Sequence, residues 1–170
     1  MGILSESCEP GWTQMQKKCY KFEEFGIGVN WDTADTRCKA INANIASIAS
    51  ICEQKTVAEL VKNTEAWIGA SDKADEGTWV WSSGTEFYKS GAAVPGMYTN
   101  LAVGFQKDGQ DNQDCVLMKT DGTWDDIICS KFYNYVCEKA AYAGAATYVA
   151  PSTAAATTVS KSQKTHNNEN

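Results

Sequence analysis

Basic side chains of two kinds are scarce in this sequence. Its 170 residues include one arginine, Arg37, and one histidine, His166, which lies close to the C-terminus. Proteins that bind nucleic acid normally present a basic surface rich in arginine, whereas this chain has a net charge of −6. We therefore exclude nucleic acid as a partner. A folded core without histidine also excludes a histidine base or a histidine-ligated metal.

Long hydrophobic runs are absent too. The stretch 140–160 has no charged residue, but its hydroxyl side chains, Gly144 and Pro151 make it too polar for a membrane span. We expect residues 140–170, rich in Ala, Thr and Ser, to form a flexible tail. It would follow a patterned domain at 8–139 and an N-terminal extension at 1–7. No signal peptide is visible at the start of this chain.

Cysteines are plentiful by comparison. No two of the seven form a C-x-x-C pair, so a zinc site or a thioredoxin-type redox pair has little support. Seven cysteines at the flanks of patterned segments indicate a disulfide framework. Such a framework requires an oxidising compartment, so we expect a secreted protein or one at the extracellular surface. Their positions are Cys8, Cys19, Cys38, Cys52, Cys115, Cys129 and Cys137.

Apolar spacing predicts two helices followed by short strands. Residues at intervals of three and four form one helical face from Trp31 to Ile41, and Asn30 precedes them as an N-cap. A second helix starts at the capping box Ser50–Glu53. After residue 65, β-favouring runs alternate with Gly, Asp and Asn. This order indicates an α+β domain. The runs are Trp67-Ile68, Trp79-Val80-Trp81, Val116-Leu117-Met118 and Tyr133-Asn134-Tyr135-Val136.

Several motifs occur in an order that identifies a family. Cys8 and Cys19 flank a short hairpin, and a run of short motifs follows. Together they resemble the C-type lectin-like domain across residues 8–139. The resemblance implies two helices, short antiparallel sheets, a long irregular loop and three disulfides. The motifs are Trp31-x-x-Ala34-x-x-x-Cys38, Ala43-Asn44-Ile45-Ala46-Ser47-Ile48, Trp67-Ile68-Gly69-Ala70, Trp79-Val80-Trp81-Ser82-Ser83-Gly84, Gln113-Asp114-Cys115-Val116, Trp124-Asp125-Asp126-x-x-Cys129 and Tyr135-Val136-Cys137-Glu138.

The resemblance also implies how the cysteines pair. It joins Cys8 to Cys19, Cys38 to Cys137, and Cys115 to Cys129, and leaves Cys52 over. A buried thiol is one reading of Cys52. The polar turn around it favours exposure, and an exposed odd cysteine in a secreted chain would allow a disulfide-linked dimer.

In sugar-binding members of this family, a calcium ion in the long loop is chelated by sugar hydroxyls. The lead-in from Tyr98 places Phe105, Gln106 and Lys107 at the positions of the Glu-Pro-Asn ligands. Phe105 offers no oxygen, and Lys107 would repel a cation. Gln113, Asp125 and Asp126 occupy the remaining ligand positions. A competing register at Val94-Pro95-Gly96 also has no acid or amide, so calcium-bridged sugar binding is predicted to be lost.

An auxiliary calcium position of the family is better preserved. Asp72, Glu76, Asp108 and Gln113 match its ligands, and oxygen donors of this kind suit Ca²⁺. If the ion binds, the affinity should be weak, about 10⁻⁴–10⁻³ M as in extracellular modules. The alternative is that these residues are solvated turn acids. No cofactor is required in either case.

The sequence thus predicts a non-catalytic recognition module whose long loop, residues 84–114, binds a glycan or a protein. The ligand-contact residues would be Phe105, Gln106, Lys107, Gln113, Asp125 and Asp126. A calcium-dependent carbohydrate-binding lectin with a divergent site is the first alternative. A structural lectin-like protein that contacts ice or mineral is the next. A hydrolase or redox enzyme built on Cys52 or on the pair Asp125/Asp126 is remote, because no core histidine could activate a nucleophile.

Overall fold

The computed structural model describes residues 7–106 and 112–142. Two helices and ten short strands form the α+β fold expected from the sequence. The helices are α1 (Trp31–Ala40) and α2 (Ile51–Val61). The strands are β1 (Thr13–Met15), β2 (Lys18–Glu23), β3 (Asn44–Ile45), β4 (Ala66–Ser71), β5 (Thr78–Trp81), β6 (Glu86–Lys89), β7 (Ala92–Ala93), β8 (Cys115–Met118), β9 (Trp124–Ile127) and β10 (Asn134–Ala140).

The sheet runs β1-β2-β10-β4-β5-β6-β7 within the described ranges. Strand β3 adds to β10, while β8 pairs with both β4 and β9. Most pairs are antiparallel, as predicted, but β10 and β4 are parallel through Asn134↔Ala66 and Tyr135↔Trp67. The chain between these two strands is long enough to return in the same direction, which a parallel pair requires.

Both helices begin where the sequence places their caps. The Asn30 side chain accepts a hydrogen bond from the Thr33 N–H at 2.9 Å, and the Ser50 hydroxyl accepts one from Glu53 at 3.2 Å. The capping box is altered, however, because the Glu53 carboxylate accepts from the Ala49 N–H at 2.8 Å. Each cap satisfies an amide that a helix start would otherwise leave unpaired.

Three disulfides hold the fold together, and all three pairings implied by the resemblance are confirmed. They join Cys8 to Cys19, Cys38 to Cys137 and Cys115 to Cys129. The second closes a separation of 99 residues and ties α1 to β10. By chain entropy such a closure contributes about 4–5 kcal/mol. The third fixes β8 to the segment after β9, next to the long loop.

The core is rich in tryptophan. Trp67, Trp79 and Trp124 are fully buried. Gly69 lies in a crowded part of this core, where a Cβ atom would sit 2.3 Å from the Ile45 carbonyl oxygen. Only glycine therefore fits between β4 and β3.

Of the motif at residues 43–48, only Asn44–Ile45 forms a strand. Past Ile45 the backbone bonds to two strands at once. The Ala46 N–H donates to Val136 of β10, and the Ala46 carbonyl accepts from the Gly69 N–H of β4. The Ser47 side chain then turns to the buried Glu138. Strands β6 and β7 were not predicted, because their runs are short and lack regular alternation.

The two ends of the described chain lie side by side. Ser7 and Tyr142 exchange backbone hydrogen bonds of 3.1 and 3.0 Å, so regular pairing extends slightly past the predicted bounds of 8–139. Most of the tail predicted at 140–170 and nearly all of the extension at 1–7 lie outside the described residues. Neither described helix is long and apolar enough to cross a membrane.

Candidate functional site

The long loop is anchored by a buried aromatic ring. Phe105 is only 4% exposed, and its ring centroid lies 4.9 Å from that of Trp79 and 5.3 Å from that of Tyr88. A ring enclosed in this way offers no surface to a ligand. Phe105 was predicted as a ligand contact, but its ring instead joins this part of the loop to the core and has little exposed surface.

Gln106 links the loop to two acids. Its backbone is left-handed, with φ 58°, and its N–H donates to Asp126 Oδ1 at 2.9 Å. Its side-chain amide donates to Asp72 Oδ2 at 3.4 Å. Gln106 thus acts as a brace between β9 and the turn after β4. Lys107, a predicted ligand contact, and Asp108, a predicted calcium ligand, lie outside the described residues.

The two carboxylates that match the sugar-bridging calcium site already have partners within the protein. Asp125 Oδ2 lies 3.1 Å from the Lys119 ammonium, and Asp126 is buried against the Gln106 amide. Their side chains alternate along β9, as in any strand. No peptide bond among the described residues is cis, and that includes the bond before Pro95 of the competing register. These residues do not fit a calcium cage of the sugar-bridging type.

A second group of acids does form a cluster. One carboxylate oxygen from each of Asp72, Glu76 and Asp114 lies within 4.8 Å of the others. Asp72 and Glu76 are predicted ligands, but Asp114 is not, although it directly follows the predicted Gln113. The adjacency of Asp114 to Gln113 is the signal in the sequence that could have identified Asp114 as a member of this cluster. Gln113 itself is half-buried beside the cluster.

Asp72 is the buried member of this group. It is 3% exposed, its Oδ2 accepts from the Gly77 N–H at 2.9 Å, and its Oδ1 has no hydrogen-bond partner. Burial, with a smaller contribution from the charges of Glu76 and Asp114, raises the pKa of Asp72 from 3.8 to about 6, although the hydrogen bond from Gly77 opposes the shift. An unpartnered buried oxygen beside two more carboxylates is the donor chemistry that Ca²⁺ takes. The residues present fit such an ion.

Cys52 lies apart from the disulfides. It is free and exposed near the start of α2, as its polar turn predicts. The exposed Ile51 precedes it, so this end of the helix presents both a thiol and an apolar side chain.

Comparison with known proteins agrees with this architecture. The model of the lectin C-type domain matches residues 27–139. Asialoglycoprotein receptor 2 from Homo sapiens is 32% identical over 145 residues, which is 81% of this chain. The chain spans only 42% of that receptor's length. An alpha-N-acetylgalactosamine-specific lectin from Patiria pectinifera is 32% identical over 143 residues, covering 76% of this chain and 78% of that lectin.

A solved structure gives the same answer. The cow C-type carbohydrate-recognition domain of CD23, crystallised in the presence of GlcNAc2Man3 oligosaccharide, aligns with a TM-score of 0.68 and 29% identity. The alignment covers 81% of this chain and 99% of that domain. The family match, the disulfide pairing and the helix–strand order all agree, and this chain belongs to the C-type lectin domain family.

Proposed function

We propose that this domain is an extracellular recognition module that binds a glycan or protein ligand through its long-loop face without a sugar-bridging calcium ion. The observation that carries the proposal is the ion pair between Asp125 and Lys119, 3.1 Å apart, at a position where the sugar-binding pattern has a calcium ligand. A lysine ammonium beside that carboxylate opposes a second cation there. The burial of Phe105 removes another ligand position.

A recognition module of this kind would act outside the cell, and the disulfides are consistent with that location. Three disulfides persist only in an oxidising compartment. The family comprises lectin and receptor modules, which fits binding rather than catalysis. The surface left for a ligand includes Val103, which is fully exposed, and the half-buried Gln113, both of which belong to the long loop. Gln106, Lys107, Asp125 and Asp126 remain the predicted edge of that surface.

A glycan array probed with and without chelator tests the proposal. If the ligand is a glycan, its binding to the array should persist in chelator. If the ligand is a protein, the array should give no signal and the same face should capture that protein. Chelator-sensitive binding of mannose or galactose would contradict the proposal and favour the calcium-dependent alternative. Lys119→Ala serves as the companion variant: removing the ammonium should not create calcium-dependent sugar binding, because Phe105 and Asp126 stay committed to the protein.

We further propose that Asp72, Glu76 and Asp114 hold a calcium ion weakly at the auxiliary position. Support comes from the unpartnered Asp72 Oδ1 and the proximity of the three carboxylates. The ion would offset the charge that burial makes unfavourable and would brace the turn after β4 against the loop. With a dissociation constant of about 10⁻⁴–10⁻³ M, 10 mM Ca²⁺ should add about 1–3 kcal/mol to the free energy of unfolding.

Calorimetric titration of Ca²⁺ into the oxidised full chain measures this directly. Saturable heat in the stated range is expected, and it should disappear in Asp72→Asn. Asp75→Asn is the matched control: Asp75 is exposed in the same turn and accepts a hydrogen bond from Thr78, which an asparagine oxygen would still accept. Absence of heat in the unaltered chain would contradict the proposal and leave the three acids as turn residues without a metal.

We also propose that Cys52 can link two copies of the chain covalently. Its thiol is exposed and lies outside the three disulfides. The adjacent exposed Ile51 would be covered at such a junction.

A further inference from the structure

A separate cavity of about 260 Å³ lies between the β5–β6 hairpin and the β2–β10 edge. It shares no residue with the acid cluster at Asp72. Trp81 and Phe87 stack in its wall with ring centroids 4.6 Å apart, and Tyr98 and the 40% exposed Met97 close one side. Apolar walls of this kind bury the body of a small molecule.

The floor of the cavity is charged. Lys18, Ser47 and Glu138 line it, and Glu138 is only 6% exposed. The Lys18 ammonium donates to the Ser47 hydroxyl at 3.1 Å and to Glu53 Oε2 at 3.3 Å. The Ser47 hydroxyl donates in turn to Glu138 Oε1.

Glu138 Oε2 is the group left short of donors. It forms an ion pair with the Lys18 ammonium at 3.1 Å, and no second donor among the described residues reaches it. Two buried carboxylates, Glu53 and Glu138, share this single ammonium, so the cluster carries one excess negative charge. Burial raises the pKa of Glu138, although Lys18 and Ser47 oppose that shift. A buried carboxylate that shares its single cation with a second carboxylate is incompletely paired, and a ligand that supplies another donor is favoured.

We propose that this cavity binds a small organic amine, with its ammonium toward Glu138 and its apolar body against Trp81 and Met97. The excess negative charge selects a cation over a neutral or acidic ligand. The volume suits a single ring with a short chain. Four residues of its lining belong to the long loop, but the lining includes none of the predicted ligand contacts Gln106, Lys107, Gln113, Asp125 and Asp126.

Phenethylamine is the probe, and 2-phenylethanol and 3-phenylpropionate are its neutral and acidic analogues. Saturation-transfer NMR and calorimetry on the full oxidised chain should give a dissociation constant of about 0.1–1 mM for the amine. Both analogues should bind at least tenfold more weakly. Equal binding of 2-phenylethanol would overturn the proposal, because the carboxylate would then play no part.

Two variants locate the site. Thr85→Trp fills the mouth from an exposed position that lines the cavity and leaves the charged floor intact. Glu138→Gln removes the acceptor charge. Each should weaken phenethylamine binding at least tenfold. Glu59→Gln, an exposed acid on α2 outside the lining, is the control and should bind within twofold of the unaltered chain.

The outcomes are decisive even if Glu138→Gln fails to fold, since Thr85→Trp and the analogue series do not touch the buried cluster. Near-ultraviolet circular dichroism verifies that each variant is folded. Undiminished amine binding in Thr85→Trp would overturn the assignment to this cavity. Glycan or protein binding by the long-loop face should be unchanged in Glu138→Gln, so that failure here is distinguishable from failure of the proposed function.

Discussion

Replacing Asp72 with asparagine in the absence of calcium should stabilise the protein, and the gain should depend on pH. The folded-state pKa of Asp72 is about 6, against 3.8 for an ordinary aspartate, chiefly because the carboxyl is buried. The folded state therefore binds the proton more tightly than the unfolded state. Stability contributed by the protonated form is present below pH 3.8 and is lost as pH rises through about 6.

The size of the effect follows from the shift. One pKa unit is worth about 1.4 kcal/mol, so a shift from 3.8 to about 6 corresponds to about 3 kcal/mol at pH 7.5. Water that reaches the cluster screens part of this, and the gain for Asp72→Asn should be about 1–3 kcal/mol. Asparagine keeps an oxygen for the Gly77 N–H, so the hydrogen bond is retained.

Urea unfolding in EDTA with the disulfides intact measures the difference at pH 4, 6 and 7.5. Asp72→Asn and the unaltered chain should have nearly equal free energies of unfolding near pH 4, diverge between pH 4 and 6, and keep a nearly constant difference at pH 7.5. Asp75→Asn should follow the unaltered chain at every pH. Parallel profiles for Asp72→Asn and the unaltered chain would refute the reasoning, because Asp72 would then carry no penalty for its charge.

Three further outcomes are expected. Phe105→Ala should cost about 3–5 kcal/mol in urea unfolding because it removes a buried ring, whereas Val103→Ala, at a fully exposed position, should change stability by less than about 0.5 kcal/mol; equal effects would mean that the loop is not anchored by the ring. Gly69→Ala should cost about 3 kcal/mol by the same assay, since its Cβ would meet the Ile45 carbonyl, and a neutral result would contradict the close approach. Cys52→Ser should abolish any covalent dimer on non-reducing gels without changing the melting temperature, and a dimer that persists would implicate another contact.

Much of the scaffold could be predicted because its signals are local or belong to the family. The caps at Asn30 and Ser50 are short-range patterns, and the order of cysteines and tryptophans carries the resemblance. Strands β6 and β7 could not be predicted, because they are short and show no regular alternation of apolar and polar residues. They pair with each other as a hairpin, which their residues do not signal.

The site was harder to predict for a physical reason. Asp114 joins Asp72 and Glu76 only because the loop before β8 returns to the turn after β4, and spacing does not record that return. The cluster of Lys18, Ser47 and Glu138 joins three distant segments, and no single motif contains all three residues. Phe105 shows the opposite case: its chemistry indicated a lost calcium ligand, but only packing reveals that the ring became part of the core.

The hydrogen-bonded pair Ser7 and Tyr142 has a consequence for how this domain can be combined with others. Directly opposed residues of an antiparallel pair have Cα atoms only about 4.5–5.5 Å apart. The polypeptide thus enters and leaves the fold at nearly one point. A host protein could accept the whole domain as an insertion within a single surface turn, because the two ends of that turn would hardly have to move apart.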